Sequence, residues 1–321
     1  MNKKASIIQI AVNKTDVESI KYLAKTELGL VNKELRKKCW PMLVRNYTNY
    51  EKVKEQCITI DEKESQQILV DVNRTRKHLP KDIGDYEKEK FMSELYDVIV
   101  AVLERNPDLR YYQGFNMVCS VLLITLGKDD AIMVAEYLAL GPLRDMLQTG
   151  LEPALERLLM VRDIVAVRDV KLYRHLESIG IMPTAHFALS WIMTWCADAI
   201  NDIDDAARIF DFLLASVDDI DMCAYICASI ILSRKGQLLA FGEDIDAAYI
   251  TLSEFPHTNI NVIINNALTL YNASFLFRIM QKSYHCLTEL RHRVSETTLT
   301  IANTVVPTLE FTRWTALVSS P

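Results

Sequence analysis

Glycine and proline are scarce in this chain, with nine of each among 321 residues. Sandwiches, barrels and propellers need many tight turns, which these two residue types mainly serve. Hydrophobic residues make up 50% of the chain and charged residues 24%, a balance typical of a globular protein. We therefore expect an all-α fold, a single elongated multi-helix body with no sheet.

Apolar residues recur at helical spacing along most of the chain, and no alternating strand pattern competes with them. Because no fixed period of about 34 or 40 residues is present, we do not expect a repeat solenoid. Pro41 predicts a kink or an early end in the second helix, and the polar residues 46–59 are predicted to form a loop. The predicted helices span residues 15–27, 32–43, 61–77, 85–104, 112–126, 130–139, 154–167, 184–200, 204–215, 220–232 and 247–252.

Two of these helices carry a start signal in the sequence. Thr15-x-x-Glu18 has the form of a capping box, and Asp61-x-x-Glu64 gives a second start. The apolar stripes also contain tryptophans, which we expect in the core rather than in a contact surface. These tryptophans are Trp40, Trp191 and Trp195.

The charge of the chain argues against a nucleic-acid partner. The formal net charge is −6 and the isoelectric point is about 5.6. A chain of this sign lacks the broad attraction to a polyanion on which non-specific nucleic-acid binding depends. We therefore expect no DNA or RNA partner.

The cysteine and aspartate patterns do not predict a metal site. Seven cysteines are scattered and mostly lie in apolar runs, which is typical of reduced, buried thiols. Cys223 and Cys227 could share a helical face, but they lack further ligands nearby, so no zinc site is expected. Eight aspartates between residues 198 and 221 do not match an EF-hand loop. We interpret them as helix caps and a solvated face.

Membrane insertion and autonomous nucleotide chemistry are not expected either. The N-terminus lacks the pattern of a secretory signal, and the longest near-apolar stretches are about half the roughly 20 residues of a spanning helix. The sequence has no P-loop, dinucleotide-binding glycine motif, zincin helix or nucleophile elbow. We therefore predict no transmembrane segment in this chain, and no metal or cofactor of its own.

The segment Ile68-Leu-Val-Asp71-Val-Asn-Arg74 places three residues on adjoining positions of one predicted helix. Asp71 and Arg74 fit an ordinary surface ion pair near a helix end, where cations complement the macrodipole. The same spacing also fits an arginine that serves a function. This segment alone leaves both interpretations open.

A second segment, Tyr111-Tyr112-Gln113-Gly114, stands just before an apolar helix. A glutamine before a glycine at the mouth of a helix can present its amide to a docked partner. Alternatively, Gln113 is a cap partner and Gly114 a point of close packing. Both interpretations remain open for this segment alone.

In this order, the two segments resemble the signature of the TBC domain, the Rab GTPase-activating module, in which I-x-x-D-x-x-R precedes Y-x-Q-G. Leu35-Arg36 with Trp40, and Arg208-Ile-Phe-Asp211, are further matches. The resemblance covers about residues 29–252 and is strongest to an endoplasmic-reticulum member of the family. The implied organisation is an N-terminal helical extension over 1–29, a TBC domain over 30–254 and a C-terminal helical extension over 255–321.

The resemblance implies a protein that accelerates GTP hydrolysis by a Rab GTPase of the step from endoplasmic reticulum to Golgi. Arg74 is the implied arginine finger and Gln113 the implied glutamine finger. The partner is expected in its GTP-bound state, carrying GTP and Mg²⁺ itself. The alternative is a catalytically inactive helical scaffold that binds a Rab or another trafficking protein. The implied supporting residues are Ile68, Asp71, Tyr111 and Gly114.

A basic group follows the implied arginine finger. It fits the steering of an acidic Rab surface or an anionic lipid, and it fits the solvated end of a helix equally well. The group consists of Arg76, Lys77, His78 and Lys81.

The chain also departs from the family pattern. Many members have Thr-Phe-Pro after the arginine, whereas Thr75 is followed here by Arg76, and Phe115 replaces the usual methionine. The endoplasmic-reticulum member has a hydrophobic membrane anchor, and this chain ends at Pro321 without one. We therefore expect a location at the cytosolic face of endoplasmic reticulum or Golgi membranes, with association that is peripheral or uses a segment absent here.

Overall fold

The structure, a computed structural model, describes residues 3–44, 60–75, 78–79, 83–148, 150–182, 184–218 and 222–273. Within these ranges the chain is helical and contains no strand, which confirms the predicted all-α fold. The predicted loop over 46–59 lies outside the described residues. Contacts divide the chain into two units, residues 1–268 and 269–321, and only 269–273 of the second unit are described.

Sixteen α-helices are present in the described ranges, together with a 3₁₀ turn at His186–Ala188. They are α1 (Lys3–Asn13), α2 (Val17–Lys25), α3 (Lys33–Val44), α4 (Glu62–Arg74), α5 (Asp85–Arg105), α6 (Phe115–Leu126), α7 (Lys128–Leu140), α8 (Arg144–Gln148), α9 (Glu152–Arg168), α10 (Val170–Ser178), α11 (Leu189–Thr194), α12 (Ile203–Leu214), α13 (Met222–Ser233), α14 (Lys235–Ala240), α15 (Ile245–Ser253) and α16 (Ile260–Ala273).

The two predicted helix starts had different outcomes. Helix α2 is capped by Asp16, whose Oδ1 accepts a 3.0 Å hydrogen bond from the Ser19 N–H. The predicted Thr15 cap is wrong, because Thr15 adopts a positive φ of 54° and lies outside the capping position. Asp61 does precede α4, although its side chain makes no capping hydrogen bond.

Other helix limits also differ from the expectations. Pro41 does not end α3, which continues to Val44. The predicted helix over 184–200 is wrong, because α11 ends at Thr194, where Trp195 and Cys196 both take positive φ values. Helices α8, α10 and α14 were not predicted, and α1 and α16 lie within the predicted helical extensions, although neither was predicted individually.

Helix α6 lies at the centre of the core. Its residues are almost all buried, and it packs against α3, α4, α5, α7, α11 and α12. Trp40, Trp191 and Trp195 are buried, so their predicted core placement is confirmed. The Phe210 ring contacts two of them, at centroid distances of 6.0 Å to Trp40 and 5.5 Å to Trp195. All five described cysteines are likewise buried, as expected.

One aspartate of the 198–221 group occupies the core, contrary to the prediction of a solvated face. Asp211 is fully buried and accepts hydrogen bonds from Arg36 Nε at 3.2 Å, Trp40 Nε1 at 2.8 Å and the Leu30 N–H at 3.0 Å. Burial is tolerated because the carboxylate is paired with a guanidinium and saturated by donors. Asp202 does cap a helix as predicted, accepting from the first backbone amides of α12.

Arg208 attaches the end of α2 to this core, and Lys4 joins α1 to α2. Arg208 donates to the carbonyls of Ala24 and Thr26, at 3.0 and 2.9 Å, and to Asn261 Oδ1 at 2.9 Å. Burial lowers the pKa of Arg208 to about 10. Lys4 Nζ donates to the Leu23 carbonyl at 2.9 Å, near the end of α2. These bonds supply donors to backbone carbonyls at the end of α2 that have no partner within the helix.

Among the described helices, none combines the length and apolar character needed to cross a bilayer.

Candidate functional site

The C-terminal end of α4 carries the first predicted segment. Ile68 is fully buried and Asp71 is buried, whereas Arg74 is exposed and is the last residue of the helix. Thr75 is buried, and its backbone N–H donates to the Val72 carbonyl at 2.9 Å. The helix is therefore anchored by Ile68, Asp71 and Thr75, and Arg74 stands at its exposed end.

The second segment lies between α5 and α6. Tyr112 is buried and its hydroxyl donates to the Met193 carbonyl at 2.8 Å, which fixes this stretch to α11. Gln113 is exposed. Gly114 is buried with a φ of +120°, a conformation that side chains rarely adopt, and a Cβ there would lie 3.1 Å from Thr194 Cγ2. The backbone conformation therefore favours glycine, and a larger residue would also be tightly packed against Thr194.

The two segments are hydrogen-bonded to each other through Tyr111. Its hydroxyl donates to Asp71 Oδ2 at 3.0 Å, and its backbone N–H donates to the carboxylate of Glu64 on α4. Burial, followed by the charge of Asp71, raises the pKa of Tyr111. The phenol therefore stays protonated and available as a donor to the carboxylate.

Asn116, in the first turn of α6, makes the second connection. Its Nδ2 donates to Thr75 Oγ1 at 2.6 Å and to the Asp71 carbonyl at 3.4 Å. Its Oδ1 accepts from the Gly114 N–H at 3.1 Å and lies 3.1 Å from the Tyr111 hydroxyl. One buried carboxamide thus bridges the residue after Arg74 and the residue after Gln113. We call Asp71, Thr75, Tyr111, Gly114 and Asn116 the bridging network.

The bridging network joins the residues that directly follow the two implied finger residues. Arg74 and Gln113 are both exposed, and neither forms a hydrogen bond or ion pair with another described residue. Asp71 contacts Tyr111 and, at 3.2 Å, Gln67 Nε2. It thereby holds the end of α4 rather than the Arg74 guanidinium, and the surface ion pair considered from the sequence is not formed.

Of the basic group, only His78 lies among the described residues. His78 does not contribute to an exposed basic surface, because it is buried and its Nε2 lies 2.8 Å from the Ile200 carbonyl. This corrects its inclusion in the group. Arg76, Lys77 and Lys81 lie outside the described residues.

Sequence reasoning missed Asn116, Thr75 and Glu64 as parts of the site. Asn116 gave one weak signal, since a polar residue in an otherwise apolar run requires a buried partner. That partner, Thr75, lies 41 positions away, and no local pattern connects the two.

The exposed groups define what this site can do. A guanidinium and a carboxamide can together stabilise negative charge and orient a polar molecule. No set of three or more metal-ligating side chains occurs in the described part of the chain.

The fold has a known class: the chain is a member of the Rab-GTPase-TBC domain family, whose family model matches residues 33–239. The resemblance seen in the sequence is thereby confirmed. The predicted limits of the domain, 30 and 254, stay predictions.

Named relatives include TBC1 domain family member 20 of Bos taurus, which is 31% identical over 79% of this chain and 63% of that protein. The GTPase-activating protein gyp10 of Schizosaccharomyces pombe is 28% identical over 83% of this chain and 71% of that protein. The chain therefore spans less than two thirds of the length of the bovine relative.

The fold is similar to that of the crystal structure of the Ypt/Rab-GAP domain of Gyp1p. The TM-score is 0.62 at 16% identity, with 79% of this chain and 92% of that chain covered. At this identity the likeness concerns the fold alone.

Proposed function

We propose that this chain is a GTPase-activating protein that supplies Arg74 and Gln113 in trans to a GTP-bound Rab GTPase. The observation that carries the proposal is the bridging network, which ties the residues beside both exposed side chains to a single buried carboxamide. The family membership supports the class of activity, and relatives named GTPase-activating proteins agree with it.

Arg74 would supply positive charge during hydrolysis. As the bond to the γ-phosphate breaks, charge accumulates on oxygens that a Rab alone stabilises poorly. A guanidinium is permanently charged, and its planar fork can contact two phosphate oxygens at once. The exposed position at the end of α4 leaves this group free of described partners, so no internal ion pair must be broken before it engages.

Gln113 would orient the attacking water. A carboxamide donates and accepts hydrogen bonds simultaneously, and it keeps the same protonation state over the physiological pH range. The water must lie in line with the leaving group, and a positioned amide reduces the entropic cost of that arrangement. The rigid backbone on both sides of Gln113, set by Tyr112 and Gly114, supports this role.

Ile68, Asp71, Tyr111 and Gly114 would support the two reacting side chains without contacting the nucleotide. Ile68 packs the inner face of α4, and the Asp71–Tyr111 bond links α4 to the Gln113 segment. Gly114 permits the turn that leads into α6. Each acts through backbone placement.

GTP and Mg²⁺ would be carried by the partner, which for this proposal is a Rab of the step between endoplasmic reticulum and Golgi. The basis is the resemblance of the sequence to the endoplasmic-reticulum member of the family. The site of action would be the cytosolic face of those membranes. Association would be peripheral or through a segment outside this chain, and Arg76, Lys77 and Lys81 would attract acidic surfaces.

A panel of Rab GTPases loaded with GTP tests the proposal. Hydrolysis is followed under single-turnover conditions with and without the wild-type chain. We expect one or a few Rabs to be accelerated by about 10³-fold or more. Binding of GTP-loaded Rabs without acceleration on any panel member would support the inactive scaffold instead and overturn the proposal.

A further inference from the structure

We infer that Asn116 is a positioning residue that sets the placement of Arg74 relative to Gln113. This inference rests on the proposed function and assigns a role to a side chain that never touches the nucleotide. The carboxamide is buried in the first turn of α6, and both of its ends are used.

The two ends of the Asn116 side chain hold different segments. Nδ2 donates to the Thr75 hydroxyl at 2.6 Å, one residue beyond Arg74. Oδ1 accepts from the Gly114 N–H at 3.1 Å, one residue beyond Gln113. The spacing between the two segments is therefore set by the Asn116 side chain and the Thr75 hydroxyl that it contacts.

Only a carboxamide provides this pair of bonds at this size. Asparagine offers two N–H donors and an acceptor oxygen on one planar group, whereas aspartate offers acceptors and an aliphatic side chain offers neither. The Thr75 hydroxyl already donates to the Asp71 carbonyl at 2.8 Å, so it needs a donor as its second partner. Asn116 satisfies that requirement inside the core.

The network also resists displacement of either segment. Thr75 and Gly114 are buried, so neither backbone can shift without leaving a buried polar group unpaired. Reacting groups that act on one transition state tolerate little error, and a displacement of about 1 Å can cost on the order of 10²-fold in rate. Placement through Asn116 would thus affect the maximal rate and leave the docking surface intact.

The test compares Asn116→Ala and Thr75→Val with Ser120→Ala as a matched control. Ser120 is buried one turn further along α6, and its hydroxyl has no hydrogen-bond partner among the described residues. Thr75→Val removes only the hydroxyl and nearly preserves shape, so it probes the same bond from the other side. All chains are assayed well below their melting temperatures, against a Rab that the wild type accelerates.

Two kinetic quantities separate positioning from stability. The stimulated single-turnover rate is measured as the concentration of the chain rises, which gives a maximal rate and a half-saturating concentration. We expect Asn116→Ala to lower the maximal rate about 10- to 100-fold with the half-saturating concentration nearly unchanged. Thr75→Val should lower it in the same direction, and Ser120→Ala should match the wild type.

A double variant tests whether Thr75 and Asn116 act through one bond. Asn116→Ala combined with Thr75→Val should lose less rate than the product of the two single losses, because both single changes remove the bond between Thr75 and Asn116. The only further bond that Thr75→Val removes is the one from the Thr75 hydroxyl to the Asp71 carbonyl. The inference would be overturned, and the proposed function would stand, if folded Asn116→Ala protein kept the wild-type maximal rate. The same holds if its half-saturating concentration rose while the maximal rate was unchanged. A wild-type chain that accelerates no Rab would overturn the proposed function, and this inference with it.

Discussion

The Tyr111 hydroxyl donates a 3.0 Å hydrogen bond to the Asp71 carboxylate across 40 positions of sequence. These two residues belong to the two separate segments that carry the family resemblance. Their direct contact gives a physical reason why the segments occur together: one holds the other in place. The exposed residues Arg74 and Gln113 belong to these same two segments, which the buried contact holds together.

Tyr111→Phe should weaken both the fold and the activity. The change removes the donor to a buried carboxylate, and we expect a loss of about 1–3 kcal/mol in the free energy of unfolding. The stimulated rate should fall because α4 and the Gln113 segment lose one connection. Chemical denaturation and single-turnover hydrolysis measure the two effects.

Tyr96→Phe is the control for Tyr111→Phe. The Tyr96 hydroxyl on α5 lies 2.7 Å from Ser65 Oγ on α4, so it also contacts α4, but it lies outside the bridging network. Its loss should cost about 1 kcal/mol and leave the stimulated rate unchanged. Equal losses of rate in both variants would mean that the Tyr111 hydroxyl has no special role.

Gly114→Ala should destabilise the chain by about 1–3 kcal/mol, because alanine is strained at a φ of +120°. Adjustment of the backbone at the strained φ and of the Thr194 side chain at the 3.1 Å contact should also lower the stimulated rate. Gly236→Ala is the control, since a Cβ there meets nothing within 4 Å. Its stability should be unchanged or raised by up to about 1 kcal/mol. Thermal melting that ranks the two variants alike would refute the strain argument.

Asp211→Asn should be strongly destabilising without a specific effect on catalysis. The change leaves the buried Arg36 guanidinium without its buried counter-ion, and we expect a loss of about 3 kcal/mol in the free energy of unfolding. Asp204 also pairs with Arg36, but its side chain is 82% exposed, so Asp204→Asn should cost about 1 kcal/mol or less. Urea denaturation measures the free energy of unfolding of both variants. Similar losses in Asp211→Asn and Asp204→Asn would contradict the role of Asp211 as the buried counter-ion.

Local patterns predicted those parts of the fold whose determinants are local. The predicted helix over 85–104 lies within one residue of α5, because its apolar stripe and the following Asn106-Pro107 both stand in the sequence. The break after Thr194 was not predictable in this way. It depends on positive φ values at Trp195 and Cys196, which the tertiary packing of both buried side chains imposes.

The site shows the same division between local and distant information. Arg74 and Gln113 could be singled out because their motifs are short and ordered. In the core, the burial of Asp211 could not be predicted from local patterns, because its partners Arg36 and Trp40 lie 175 and 171 positions away. Those partners belong to the other matching segments of the resemblance, so family comparison pointed to residues whose contact only the fold explains.

Gln113→Ala should reduce the stimulated rate severely, though less than loss of the arginine, because the bound GTPase retains some capacity to order water. Gln113 is exposed and has no partner among the described residues, so stability should be unchanged. Gln237→Ala, which alters an exposed glutamine of α14, should behave as the wild type. Single-turnover hydrolysis at saturating chain is the measurement. A Gln113→Ala rate equal to the wild type would show that the GTPase positions the water itself.

Single-turnover GTP hydrolysis with Arg74→Ala and Arg74→Lys tests the central claim most directly. We predict that Arg74→Ala loses about 10³- to 10⁵-fold in stimulated rate, and that Arg74→Lys also fails because a point charge cannot reproduce the planar fork. Both variants should melt like the wild type, and Arg168→Ala, at the exposed end of α9, should retain full activity. Undiminished stimulation by Arg74→Ala would contradict the account.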